Sequence, residues 1–309
     1  MSSSRDDKSR VKPSEPLRQR ADDVLGHLLD QTLTSGLYLV ATPIGHLGDI
    51  SIRALSVLAN ADVIYCENPR HSRKLLNHYA IKSELGAYHE HNAGRERPRI
   101  LASLEAGRSV ALISDAGTPL ISDPGFKLVR DVQDQGYPVL VVPGPSAPIA
   151  ALTLSGLPTD RFFFEGFLPA KPVQRKKRLA EIAAFPATLV LFETAQRMAA
   201  SLADMADILG SRDAALVKEL TKIHEAVERA TLNELVASFS ESDPKGEFVI
   251  VIAAPAKDGV DEAEIMTHLR PALDTMSVRD ATRQISDELN VPRNRVYELA
   301  LEMKREMET

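Results

Sequence analysis

The sequence predicts an α/β protein of two domains, with a parallel sheet in the first, and three observations predict it. From residue 37 onward, short β-rich runs alternate with amphipathic helical stretches, the order expected of strands connected by helices. Several runs, such as "LYLV", "VIYC" and "VLVV", are continuously apolar rather than alternating, as in a sheet covered on both faces. Turns rich in glycine, proline and polar residues follow these runs, at the strand ends where open parallel sheets bind ligands.

The elements follow in chain order. Residues 1–35 begin "MSSSRDDKSR", mix both charges with Ser and Pro, and lack the apolar core of a signal peptide; a disordered tail is expected. An N-terminal α/β domain is expected over 36–156, with strands at 37–42, 63–67, 85–89, 110–115 and 139–143. Between them lie helical patterns, as in 50–59, where Ile50, Ala54, Leu55 and Leu58 share one face. Residues 139–159 carry no charge, but Pro143, Gly144, Pro145 and Pro148 interrupt their front half. About ten helical residues remain where a membrane span needs roughly 20, so a strand, a turn and a core helix are expected, and no membrane.

A composition shift at Gly156-Leu157-Pro158 opens a second α/β domain over 157–255. Its expected strands are 162–167, 188–193, 215–218 and 248–254, with helices around 175–184 and 198–209. A linker at 255–261 leads to a helical module over 262–308. There "SVRDATRQISDELNVPRNRVYELALEMK" reads as two helices, Ser277 capping one and Pro292 starting the other. Ala281, Ile285 and Leu289 form one apolar stripe, and Val296, Leu299 and Ala300 form its partner. The short turn at 290–292 resembles a helix-turn-helix, with Arg293 and Arg295 at the start of the second helix.

Net charge is −6, from 37 Lys and Arg against 43 Asp and Glu, so a polyanion would have to meet a local basic patch. DNA is not an expected partner. The one cysteine, Cys66, lies in an expected strand; no internal disulfide can form, which suits a reducing, cytoplasmic setting. There is no Walker A loop, and no GxG occurs anywhere in the chain, which argues against a usual dinucleotide site. "HEH" at 89–91 is not HExxH and offers no third ligand, so no metal is expected.

Four turns concentrate the chemistry. In "ATPIGHLGDIS" the glycines permit close backbone approach, and Asp49 suits the cap of the next helix. In "YCENPRHSRK", Glu67 ends a buried strand, and Arg70, His71, Arg73 and Lys74 follow within two helical turns. A carboxylate there can bind a hydroxyl or act as a base, and the cations can bind phosphate; the alternative is a salt-bridged helix start. "ISDAGTPLISDPG" (113–125) packs two Asp, two Gly and two Pro into one turn. Such a rigid loop can envelop a small ligand while Asp115 or Asp123 supplies a carboxylate. In "VVPGPSAP", Ser146 stands at a helix start; without GxSxG, capping is its better role.

Taken together, "YLVATPIGHLGDISIRAL", "ISDAGTPLISDPG", "PGPSA", "DRFFFEGFLP", "KELTKIHE" and "GEFVIVI" closely resemble the small-subunit ribosomal RNA methyltransferases of the tetrapyrrole methylase superfamily. The likeness runs from about residue 37 to 254 and continues into the C-terminal helices. It implies a two-domain tetrapyrrole-methylase-like fold with S-adenosylmethionine (SAM) in the interdomain cleft. It also implies 2′-O-methylation of a cytidine ribose in the decoding region of 16S rRNA, in the small ribosomal subunit, by a homodimer. By position, the cofactor residues would be Pro43, Gly45, Gly48 and Asp49; Asp115, Ala116, Gly117, Thr118 and Pro119; Gly144 and Ser146; Glu193 and Thr194; and Leu220.

A base would help a ribose hydroxyl attack. Glu67 and Glu219 are the candidates, with Lys218 as charge stabiliser. RNA phosphates would fall on Arg70, Arg73 and Lys74, beside His71, and on Lys171, Arg175, Lys176, Lys177 and Arg178 of "AKPVQRKKR", whose plain reading is a solvated basic helix face. Two departures stand out: His46 where the family usually has Asn, and Asn68-Pro69 where it usually has Asp-Thr. They suggest altered substrate handling rather than a dead enzyme. Two rival readings keep the scaffold: a methylase of a tetrapyrrole or other small molecule, and a non-catalytic RNA-binding protein.

Overall fold

The structure, a computed structural model, describes residues 15–239, 246–255, 262–289 and 293–307. The continuously apolar runs become β1 (Gly36–Val40), β2 (Val63–Cys66), β3 (Leu85–Ala87), β4 (Ser109–Ile113) and β5 (Val139–Val142). They form one wholly parallel sheet in the order β3-β2-β4-β1-β5. Its two faces explain the continuous hydrophobicity. Ala111 and Ile113 of β4 pack with Leu58 of α2 (Ile52–Asn60) and Leu76 of α3 (Pro69–His78). The intervening Val110 and Leu112 pack with Ile100 of α4 (Ala93–Glu105) and Leu128 of α5 (Phe126–Asp134).

The expected disordered tail is corrected in part. Glu15–Leu29 forms a helix, α1, whose last carbonyls are satisfied from α2: Ser56 Oγ donates to Leu28 O at 2.7 Å and Asn60 Nδ2 to Leu29 O at 3.0 Å. None of its residues is buried, so it carries little apolar signal. Residues 1–14 of that tail lie outside the described residues.

The second sheet joins β6 (Phe162–Phe167), β7 (Thr188–Thr194), β8 (Asp213–Lys218), β9 (Ala226–Thr231) and β10 (Glu247–Ile252) in the order β6-β7-β10-β8-β9. Only β6 and β7 run parallel; the other pairs are antiparallel. One face, with Leu189, Leu191, Leu216 and Ile250, packs on α7 (Pro172–Ile182), α8 (Ala195–Leu209) and α9 (Leu232–Phe239). The other face, with Val190, Val217, Val249 and Val251, receives Ile44 and two residues of α6 (Ala147–Ser155), Ala151 and Leu152. The loop after β1 and the helix after β5 are thereby seated on the second sheet, and the two lobes meet over the C-terminal ends of β1, β4 and β5.

The C-terminal module has its own core. Ala281 and Ile285 of α11 (Val278–Leu289) meet Val296, Leu299 and Ala300 of α12 (Arg293–Met307), as their stripes predict, and Ile265 and Leu269 of α10 (Glu262–Thr275) complete the cluster. Ser277 caps as expected, its Oγ accepting from Asp280 N at 3.2 Å. The turn at 290–292 with Pro292, the Arg295 side chain, linker residues 256–261 and residue 308 lie outside what is described. Among the described residues no helix is long and apolar enough to cross a membrane.

Candidate functional site

The loop after β1 is built into the lobe junction. Thr42 and Gly117 exchange backbone hydrogen bonds, Thr42 N to Gly117 O at 2.9 Å and Gly117 N to Thr42 O at 3.1 Å. Thr118 Oγ1 donates to Pro145 O at 3.0 Å, which draws the loops after β1, β4 and β5 together. Gly117 has φ +79°, a region that favours glycine. Gly45 has a different reason to be glycine: a Cβ would lie 2.7 Å from both Leu220 O and Thr221 Oγ1. Beside it, His46 N donates to Thr221 Oγ1 at 2.9 Å. The loop after β8 clasps the loop after β1.

Between the lobes lies a cavity of about 370 Å³, within the range of small-ligand sites. Asp115, Ala116, Gly117, Thr118 and Ser146 line it from the first lobe, and Glu193, Thr194 and Leu220 from the second. Pro43, Gly45, Gly48, Asp49 and Gly144 do not line it; they shape the loops behind it. Pro119 borders a small adjoining cavity with Glu67, Tyr88 and Asp123. Ile44 lines the cavity within the stretch 43–49 that the resemblance places there, whereas the apolar wall of Phe167, Phe192, Val217 and Phe248 was not foreseen. Its one trace in the sequence was the alternation along β7 and β8, which sends Phe192 and Val217 to the face opposite Leu191 and Leu216.

Two capping expectations are corrected. Ser51, not Asp49, caps α2, accepting from Ala54 N at 3.0 Å. Asp49 ends a short 3-10 turn, Leu47–Asp49, capped by His46, whose Nδ1 accepts from Gly48 N at 3.1 Å. Ser146 stands at the N-cap position of α6, but its hydroxyl makes no capping hydrogen bond, and it borders the cavity instead.

The Asn68-Pro69 departure leaves the start of α3 intact. Asn68 Oδ1 accepts from Arg70 N at 3.1 Å and His71 N at 3.4 Å, and Pro69 takes the first helical position, where its missing N–H costs nothing. Asn68 N donates to Asp115 Oδ1 at 3.2 Å, which fixes α3 against the cavity rim. Arg70, His71, Arg73 and Lys74 are all exposed, and no ion pair to them occurs among the described residues.

The second basic stretch behaves otherwise. Arg175 is buried, its Nε donating to Asp204 Oδ2 at 2.7 Å and a guanidinium N–H to Ala170 O. Lys176 pairs with Asp207 at 2.8 Å. Arg178 reaches Glu165 through two hydrogen bonds, at 2.7 and 2.8 Å, and Glu181 at 3.0 Å. Burial takes Arg175 out of reach of an RNA phosphate, whereas Lys176 and Arg178 keep part of their surface exposed while they tie α7 to its surroundings. Lys171 and Lys177 stay exposed.

Neither Lys218 nor Glu219 lines the cavity. Lys218 lies over the Phe248 ring, 5.9 Å from its centroid. The Glu219 carboxylate accepts from Glu247 N at 2.9 Å and from Lys222 Nζ at 3.0 Å. The backbone hydrogen bond from Glu247, with help from Lys222, holds its carboxyl below the usual carboxylate range, which suits a structural tie better than a base. Glu193 is likewise occupied: it accepts from Thr194 N at 2.8 Å and from Ser201 Oγ, and pairs with Arg197 at 3.2 Å. Asp123 differs from all of these. It borders both the main cavity and the small one. Burial, with the charges of Glu67 and Asp115, pushes its carboxyl up to about 6.

A family model described as Tetrapyrrole (Corrin/Porphyrin) Methylases matches residues 36–236, and one described as RsmI C-terminal HTH domain matches 259–304. The chain is 48% identical to ribosomal RNA small subunit methyltransferase I of Mesorhizobium japonicum, over 88% of this chain and 93% of that one. It is 45% identical to the same-named protein of Pseudomonas aeruginosa, over 86% and 96%. Among solved structures, cobalt precorrin-4 methyltransferase shares the fold at a TM-score of 0.55 and 16% identity, over 70% of this chain and 94% of that one. Diphthine synthase does so at 0.55 and 19%, over 71% and 89%. With its interlobe cavity, its two sheets and its terminal helices all accounted for, the chain belongs to the tetrapyrrole methylase family, in the ribosomal RNA small subunit methyltransferase I branch.

Proposed function

We propose that the chain transfers the methyl group of SAM to the 2′-oxygen of a cytidine ribose in the decoding region of 16S rRNA, within the small ribosomal subunit. It acts as a homodimer in the cytoplasm. The observation that carries this reading is similarity to ribosomal RNA small subunit methyltransferase I that spans both sheets and the terminal helices.

The cavity fits SAM by size and chemistry. Its walls are apolar on the second-sheet side, backbone-rich at 115–118, and edged by the carboxylates Asp115 and Glu193, which suits a cationic sulfonium beside an apolar ring. Bound there, SAM would supply an activated methyl group. Asp115, Ala116, Gly117 and Thr118 would hold it from one lobe with Ser146, and Glu193, Thr194 and Leu220 from the other. Displacement at a methyl carbon requires the ribose oxygen in line. The exposed Arg70, His71, Arg73 and Lys74 on α3 set that alignment by holding phosphates at the rim, with Lys171 beyond. The hydroxyl proton is taken by the carboxylate cluster at the ends of β2 and β4, in which Glu67 sits.

Methyl-labelled SAM offered with small subunits, and separately with a tetrapyrrole, tests the reading. Label is expected in 16S rRNA, released on digestion as 2′-O-methylcytidine. Label on the tetrapyrrole alone, or SAM binding without transfer, supports a rival. The terminal helices give a second expectation. Deleting 261–309 should leave SAM affinity unchanged and weaken subunit binding at least tenfold, more steeply as salt rises. A truncated protein that keeps subunit affinity but sediments as a monomer would assign the module to dimerisation instead.

A further inference from the structure

We propose that Asp123 is the proton acceptor for the attacking ribose hydroxyl, and that Glu67 acts through it as a positioning residue. This rests on the reading of the function above. Asp123 is the carboxylate that borders both the main cavity and the small cavity holding Glu67. The segment before it is strained: Leu120 and Ser122 have φ +72° and +63°, and such residues persist where surrounding structure holds them for a purpose. Here the second lobe does the holding, since a Cβ on Gly166 of β6 would lie 2.8 Å from Ser122 Oγ. The strained segment is thus wedged between the lobes, with Asp123 next along the chain.

The alternatives on the same walls are occupied. Glu193 is tied to Ser201, Arg197 and its neighbouring N–H, Asp115 accepts from the start of α3, and Glu219 serves Glu247 N and Lys222. The groups that face Asp123 are Glu67 at the end of β2, Tyr88 beyond β3, and Ser114 and Asp115 beyond β4, with Glu193 and Glu247 on the second-lobe wall. The nearest carboxylates add negative charge, which favours the protonated form and makes Asp123 a better base when it ionises. In the step itself the ribose oxygen forms the new O–CH3 bond. The S–CH3 bond breaks with its electron pair left on sulfur, which becomes neutral. The hydroxyl proton passes to the Asp123 carboxylate and then to water.

The test compares wild type, Asp123→Asn and Glu67→Gln for methyl transfer to small subunits across pH 5 to 9, with SAM affinity by calorimetry and thermal stability alongside. In wild type, turnover should rise through the Asp123 value of about 6. Asp123→Asn should lower turnover a hundredfold or more with SAM affinity within about threefold. Glu67→Gln removes a charge that raises Asp123, so its acid limb should move to lower pH, with a plateau loss of less than about tenfold. The sign for stability follows from the raised value: ionised Asp123 weakens the fold above its unfolded value of 3.8. Asp123→Asn should therefore melt higher than wild type at neutral pH, with the gain gone below about pH 4. Wild-type turnover in Asp123→Asn, abolition of turnover by Glu67→Gln, or no stability gain overturns the assignment. If Asp123→Asn does not fold, the Glu67→Gln profile decides. Wild type that never methylates subunits sinks the functional reading instead, and the stability comparison still tests the environment claimed for Asp123.

Discussion

Gly117→Val is expected to weaken SAM binding by at least a hundredfold, about 3 kcal/mol. A β-branched residue avoids the positive φ of +79° found here, and its Cβ would crowd Ile44 Cγ2 at 3.2 Å. Relief of either problem pulls apart the paired hydrogen bonds with Thr42, and with them the wall of the cavity. Gly136 provides the control. It has the same φ of +79° with nothing within 4 Å of a Cβ, and it precedes β5 at the opposite end of the sheet. Gly136→Val should lose stability through strain yet bind SAM normally in calorimetry. Equal SAM affinity in both variants would remove the loop at 115–118 from the cofactor site.

Arg175→Ala is expected to cost about 3 to 5 kcal/mol of folding stability, because it leaves the Asp204 carboxylate buried without its main partner. Lys171→Ala, at an exposed position, should change stability by less than about 0.5 kcal/mol. Urea unfolding of the two variants distinguishes a structural pin from an RNA contact. A stable Arg175→Ala protein with weakened subunit affinity would restore the phosphate-binding role that the sequence suggested.

These cases show what was legible in the chain and why. The parallel sheet could be read because β4 is buried on both faces and so is apolar from Val110 to Ile113. The helical module could be read because two stripes at helical spacing need each other. β9 was missed because a half-exposed edge strand, "AVERAT", carries no alternation. Arg175 was misread because a cation on a basic helix looks solvated until Asp204, 29 residues on, is known to face it. The glycine at 45 was legible as a close approach, but its partner was not: Leu220 O comes from the far lobe. Within the site, loop residues with backbone signatures, Asp115 to Thr118, were found, whereas the aromatic wall was not, since Phe167 and Phe192 read as ordinary strand residues. Asp123 was visible as a carboxylate in a dense turn. Its distinction from Glu67 and Glu219 depends on burial and neighbours that only the fold supplies.

The central claim is that this cavity methylates one ribose of the small-subunit RNA. Mass spectrometry of 16S rRNA from cells with and without the protein tests it most directly. The expected result is one cytidine in the decoding region that carries a 2′-O-methyl group in the first RNA, lacks it in the second, and regains it when wild type but not Asp123→Asn is returned. Identical methylation of the two RNAs would contradict the account.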